Sequence, residues 1–206
     1  TPNGIPFGVI PGNHDIDFNG DTSTVNYNRY FGGNRFIGRS YYGGAYSFPN
    51  NDNNYTLFSA GGMSFIVINL EWEVNESKLN WANNLLKNYN KRRAILVSHF
   101  MLYGNGTFSS NGKKIYNSLK DNPNLFLMLC GHEFEESKRI DNYNNNVVYS
   151  LLSNYQWRPN GGNGWVRILK FSPNNNTIRV ETYSPVLDSS ETDSNSEFNL
   201  SYNMDQ

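Results

Sequence analysis

Two uninterrupted apolar runs, residues 94–97 and 125–130, each follow a stretch that reads as helix, and this alternation limits the fold more than any other feature of the chain. Helix followed by buried-type strand, twice in succession, is the pattern of α/β layering, in which strands covered on both faces read as continuous rather than alternating hydrophobic sequence. The first helix is the better marked. Between residues 76 and 92, Leu79, Ala82, Leu85, Leu86 and Tyr89 recur at three- and four-residue steps and form one apolar face. Asn75 suits the N-cap, Glu76 the positive helix end, and Lys91, Arg92 and Arg93 the negative end. A shorter helix is expected over residues 113–120, ahead of Asn122-Pro123.

Residues 5–11 read as a buried strand entering a tight loop at residues 12–15. Residues 19–54 hold no sustained period, carry the pairs Gly32-Gly33 and Gly43-Gly44, and are expected to make a long structured excursion over the surface. Residues 55–59 and 64–70 suggest a hairpin about Gly61-Gly62. After Glu136 the pattern turns to alternation, with strands expected at 147–152, 164–171 and 177–183 in an antiparallel portion of the sheet system. Residues 188–206 form a polar tail in which 198–202 docks the chain end. With 206 residues and no internal repeat, one domain over residues 1–206 is expected.

The histidines are scarce and not scattered. His14, His99 and His132 all stand just after an apolar run, and the carboxyl ends of strands in α/β sheets are where ligands bind. A lone histidine there is more often a hydrogen-bonded structural residue; three in the same topological position favour a site. Imidazole is the commonest neutral metal ligand, and the Asn13 side-chain carbonyl adds a harder oxygen donor. Ser98-His99 is not a nucleophilic pair, because neighbours in a strand point to opposite faces and no elbow motif surrounds the serine. Cys130, the only cysteine, excludes an intramolecular disulfide and a zinc site of several thiolates, and reads as a packed strand residue.

The ordered set of Gly12-Asn13-His14-Asp15, a later His99 and then Gly131-His132 resembles the third, fourth and fifth signatures of the calcineurin-like metallophosphoesterases. The likeness runs from Ile5 to Tyr202, and Asn154-Tyr155-Gln156, the stretch Gly161-Gly162-Asn163-Gly164-Trp165 and Tyr183-Ser184-Pro185 resemble a subgroup of often exported bacterial enzymes. It implies a layered α-β-β-α sandwich of mixed sheets without its first strands. It also implies two divalent metal ions, Mn, Fe or Zn, and hydrolysis of a phosphomonoester or phosphodiester by a metal-activated water. Asn13, His99 and His132 would be ligands of one ion. His14 would contact the phosphate and act as general acid, and Asp15 would hydrogen-bond the His14 ring.

Two departures qualify the match. The family's Asp-x-His and Gly-Asp-x-x-Asp occur nowhere in the chain, which begins at Thr1 and enters an apolar run almost at once; it reads as amino-terminally truncated. Phe134 stands where the family often has the second histidine of Gly-His-x-His. Glu133 either replaces that ligand or is an exposed charge after a turn. Trp157 and Trp165 read as core or rim packing, and Arg35, Arg39, Tyr41 and Tyr42 as either a phosphate- or base-binding wall or plain surface.

Composition excludes some partners. A net charge of −1 without a basic run argues against a nucleic-acid footprint, so the expected partner is a small or nucleotide-like phosphate ester recognised locally. No run of about eighteen apolar residues offers a membrane span. Abundant Asn, Tyr and Gly with only 17% charged residues point to a secreted or cell-envelope setting, although the triplets Asn54-Tyr55-Thr56 and Asn105-Gly106-Thr107 add little in so Asn-rich a chain. An aromatic content of 15% leaves a different class open, a non-catalytic extracellular carbohydrate- or surface-binding module on the same fold.

Overall fold

The structure, a computed structural model, describes residues 5–16 and 23–205. Its centre is a seven-stranded mixed sheet in the order β1-β2-β3-β4-β5-β7-β6, with strands β1 Tyr42–Ala45, β2 Asn54–Ala60, β3 Met63–Leu70, β4 Arg93–Ser98, β5 Leu125–Cys130, β6 Glu135–Tyr143 and β7 Asn146–Asn154. Strands β3, β4, β5 and β7 are parallel neighbours, and the outer strands pair antiparallel. Helix α1 (Val25–Phe31) lies in the expected excursion, whose residues 19–22 fall outside the described residues. Helices α2 (Glu76–Asn88) and α3 (Ser110–Leu119) make the crossovers that parallel pairing requires.

Side-chain alternation along the parallel strands separates two cores. Ile66, Ile68, Leu96 and Met128 face the helices, meeting Leu79, Ala82 and Leu86 of α2 and Ile115 and Leu119 of α3. Phe65, Ile95, Leu127 and Leu151 face the other way, onto Ile178, Val180 and Leu200 of a second, antiparallel sheet. That sheet comprises β8 Val166–Ser172, β9 Thr177–Ser184, β10 Ser189–Glu191 and β11 Phe198–Ser201. Helix on sheet on sheet is the layered mixed α/β arrangement that the sequence predicts. Both helices are capped as their sequences allow: Asn75 accepts from the Lys78 amide, and Ser109 from the Gly112 amide.

Residues 5–11 depart from expectation. They are not a buried strand: Ile5 is 84% exposed and they pair with no strand among the described residues. A strand needs a backbone neighbour, and here the Val9 carbonyl instead accepts side-chain donors, the Tyr27 hydroxyl at 3.1 Å and Asn54 Nδ2 at 3.0 Å. Strand β6 has no counterpart in the sequence reading, because Glu-Glu-Ser-Lys-Arg-Ile-Asp-Asn-Tyr is a polar edge strand with few buried positions.

One buried charge ties the layers together. Glu136 on β6 accepts from Thr182 Oγ1 on β9 at 2.6 Å, from the Tyr155 and Ser196 hydroxyls, and pairs with Arg167 of β8. Burial acts to raise its pKa, yet the hydrogen bonds of Ser196, Thr182, Tyr155 and Arg167 together outweigh this and hold it below the usual carboxylate range. Its stabilising contribution is therefore present above the ordinary carboxylate pKa and is lost as pH falls through the depressed folded value. Glu136→Gln is expected to cost about 3–5 kcal/mol in urea unfolding at pH 7, because it strands a buried guanidinium; the Arg167 side chain is only 6% exposed. An unchanged midpoint would show that the pair contributes nothing net.

Candidate metal centre

The site forms where the parallel strands end. Leu70 of β3 is in register with Ser98 of β4, so Trp72 and His99 emerge beside each other just past the sheet edge, and β5 delivers Gly131-His132 next to them. The Gly131 amide donates to the His99 carbonyl at 3.0 Å, which continues the pairing one step beyond the strands. His132 then turns with φ +70°, a left-handed conformation that a non-glycine residue adopts at some cost. Its carbonyl accepts from Asn154 Nδ2 at 2.8 Å, which holds the turn.

The loop at residues 12–15 is a single 3₁₀ turn closed from both sides. Asp15 Oδ2 accepts from the Gly12 amide at 2.8 Å, and the Asp15 amide donates to the Gly12 carbonyl at 3.1 Å. Gly12 is required by close approach: a Cβ there would lie 2.7 Å from Cε1 of His99. The backbone thus rests against the imidazole, and Asn13 Oδ1 comes to 2.9 Å from His99 Nε2. His132 Nδ1 lies 3.2 Å from the same nitrogen.

Asn13 Oδ1 and His132 Nδ1 therefore both converge on His99 Nε2, making a focus of three ligand atoms. A single proton on His99 Nε2 serves only one of these contacts well, whereas a cation at the focus satisfies all three lone pairs. Metal bonds of about 2.1 Å place neighbouring ligand atoms about 3.0–3.4 Å apart, close to the separations of 2.9 and 3.2 Å found here. The residues present fit a divalent ion. His14, Asp15 and Glu133 line the same cavity of about 380 Å³, together with Phe134, Gln156 and Trp157. Among the described residues no Lys or Arg lines it. Two carboxylates on its walls make the cavity a better host for a cation than for a bare anion.

Aromatic rings wall the imidazoles. Trp72 stands edge-on to His132 at 4.5 Å between centroids and 5.1 Å from His99, while Phe100 lies 4.7 Å from His132. Trp72 escaped the sequence reading; the signal available was its place two residues past the apolar run at 64–70, at the same strand end as the histidines. Desolvation is the main reason that His99 titrates low, at about 4, with the neighbouring His132 charge adding to it. Burial likewise lowers His132, against the pull of Glu133. Both shifts keep the rings neutral, the state a metal needs.

Not every candidate reaches the site. Arg35, Arg39, Tyr41 and Tyr42 do not line the cavity; Tyr42 stacks on Phe36 at 5.6 Å, Tyr41 is buried beside Phe7, and Arg39 lies over the Phe7 ring. Glu133 lines the cavity, but among the described residues it does not group with the two imidazoles within 4.8 Å. The carboxylates of Glu136, Glu191 and Asp193 do lie within 4.8 Å of one another. There Arg158 and Arg167 pair with Glu191 and Glu136, offsetting two of the three charges.

Comparison with known proteins agrees with this geometry. The profile of the calcineurin-like phosphoesterases matches residues 1–136, and the chain belongs to that family, whose members are metal-dependent phosphoester hydrolases. An uncharacterized protein of Bacillus subtilis (strain 168), YvnB, is 36% identical over 190 residues, which cover 88% of this chain; the chain spans 14% of that relative's length. A solved structure, GAP50, the anchor in the inner membrane complex of Plasmodium, aligns with a TM-score of 0.48 at 15% identity, covering 79% of this chain and 60% of its own. That likeness is too distant to speak for function.

Two outcomes follow for the protein stripped of metal by chelation. The neutral His99 ring is favoured on folding, so its contribution is fully present above the ordinary histidine pKa and is lost as pH falls toward about 4. The melting temperature should therefore drop between pH 7 and pH 5, and His99→Gln should flatten that drop; equal slopes in both proteins would count against the assignment. Adding Mn²⁺ or Zn²⁺ at pH 7 should raise the melting temperature, by an increment that shrinks toward pH 5 and is lost in His132→Ala.

Proposed function

We propose that these residues form one metal-binding half and the general acid of a hydrolase acting on phosphate esters. The observation that supports this reading is the focus of Asn13 Oδ1, His99 Nε2 and His132 Nδ1 in a cavity that His14 also lines and that, among the described residues, no Lys or Arg lines. In the full-length protein, two divalent ions serve the reaction, and groups other than the described donors complete the second site. The chain's own 206 residues contain neither an Asp-x-His nor a Gly-Asp-x-x-Asp to do so. Asn13, His99 and His132 would hold a divalent ion, which would supply charge neutralisation for a phosphate ester and lower the pKa of a water.

The chain's own residues do the rest. His99 and His132, kept neutral by burial, direct their lone pairs to the focus, and Trp72 and Phe100 limit how far the rings can turn. His14, exposed at the cavity wall, is placed to donate a proton to the departing oxygen. Asp15 braces the turn that carries His14 through its bond to the Gly12 amide. The substrate is a small or nucleotide-like phosphate ester, and the setting is the cell exterior or envelope, a reading that rests on composition.

The test is made on the full-length, metal-loaded protein. His14→Ala should lower turnover of a phosphate ester by about two to four orders of magnitude with metal content unchanged, whereas His132→Ala should lower both metal content and turnover. Undiminished turnover in His14→Ala would remove the general-acid role.

A further inference from the structure

Two large apolar side chains stand in water at the mouth of the cavity. Phe134 is 53% exposed and Trp157 67% exposed, although burial of either ring is favourable. They come from different loops, one following β5 and one following β7, and these adjacent parallel strands end on the same side of the sheet. The rings meet edge to face, 5.1 Å between centroids at 71°. Both line the cavity that holds Asn13, His14, His99 and His132.

The loop that carries Trp157 is braced rather than loose. The Gln156 amide donates to Asn154 Oδ1 at 3.2 Å, and the Arg158 amide to the Tyr155 carbonyl at 3.0 Å. Arg158 itself is locked by Glu191 at 2.8 Å and lies over the Tyr155 ring at 4.9 Å. The backbone on either side of Trp157 is thus fixed, which lowers the ordering cost of receiving a partner on its exposed ring. Perpendicular rings suit a flat group, which can lie on one face while the other ring meets its edge. A saccharide would need many hydroxyl partners, and besides the catalytic group the cavity offers Gln156 and Glu133 as polar side chains.

We infer that Phe134 and Trp157 form a subsite for a planar aromatic group on the alcohol portion of the ester, so that the substrates are phosphates bearing an aryl ring or a nucleobase. This rests on the phosphoesterase reading above. The same placement accounts for Phe134 at a position where the family often carries a metal ligand: here it is a specificity residue at the rim, and the focus of donors is made by Asn13, His99 and His132.

The experiment compares kcat/KM for matched pairs on the full-length, metal-loaded protein. In 3-phenylpropyl phosphate and propyl phosphate the leaving alcohols are of like acidity and only the ring differs; adenosine 5′-phosphate and ribose 5-phosphate differ by the base. The aromatic member of at least one pair should be preferred by about tenfold, the scale of one stacked ring, and the pair that shows it distinguishes an aryl from a nucleobase ligand. Trp157→Ala and, separately, Phe134→Ala should each bring that ratio toward one, while Trp157→Tyr keeps most of it. Metal content and melting temperature, read on every variant, exclude loss of the centre or the fold. Turnover of all four esters without preference, or a preference that survives both alanine variants, overturns the subsite but leaves the hydrolase reading standing. Absence of turnover of all four, and of the diester bis(4-nitrophenyl) phosphate, by metal-loaded protein overturns both.

Discussion

Parallel pairing of β3, β4, β5 and β7 is the constraint from which the rest follows. Because these strands run the same way and in register, the residues after each of them surface at one edge of the sheet. Trp72, His99, His132 and the loop carrying Trp157 are separated by up to 85 positions in sequence and yet share one cavity or its walls. An antiparallel arrangement would send alternate strand ends to opposite edges and scatter them. The crossover helices that parallel pairing demands then cover one face, and the small antiparallel sheet covers the other.

The site concentrates its electrostatics locally. A chain of net charge −1 does not attract a phosphate over distance, and among the described residues the cavity carries Asp15 and Glu133 but no Lys or Arg. Desolvated, neutral imidazoles and an amide oxygen are poor phosphate binders and good cation ligands. At the joint between sheets the logic is inverted. Glu136 is kept ionised by four partners, Arg167 among them, so there a buried charge is retained to join the layers.

Legibility in the sequence tracked how local each signal was. Helix α2 could be read from the spacing of Leu79, Ala82, Leu85 and Leu86 with the Asn75 cap, and β4 and β5 from uninterrupted apolar runs. The polar edge strand β6 could not, since its identity depends on a neighbour, β7, rather than on its own pattern. Residues 5–11 misled for the opposite reason: the run is apolar enough for a strand, but only a hydrogen-bonded neighbour makes one, and side chains of Tyr27 and Asn54 took the Val9 carbonyl instead.

For the site, sequence alone determined which residues were candidates: His14, His99 and His132, with Asn13 beside the first. Three histidines just past apolar runs are a local pattern and so survive without coordinates. Only the tertiary structure decided which of them meet. The 2.9 and 3.2 Å contacts at His99 Nε2, the Gly12 backbone against its ring, the walls of Trp72 and Phe100, and the pairing of Phe134 with Trp157 all join residues distant in the chain. Such meetings depend on strand register and direction, and those are properties of the packed sheet rather than of any single segment.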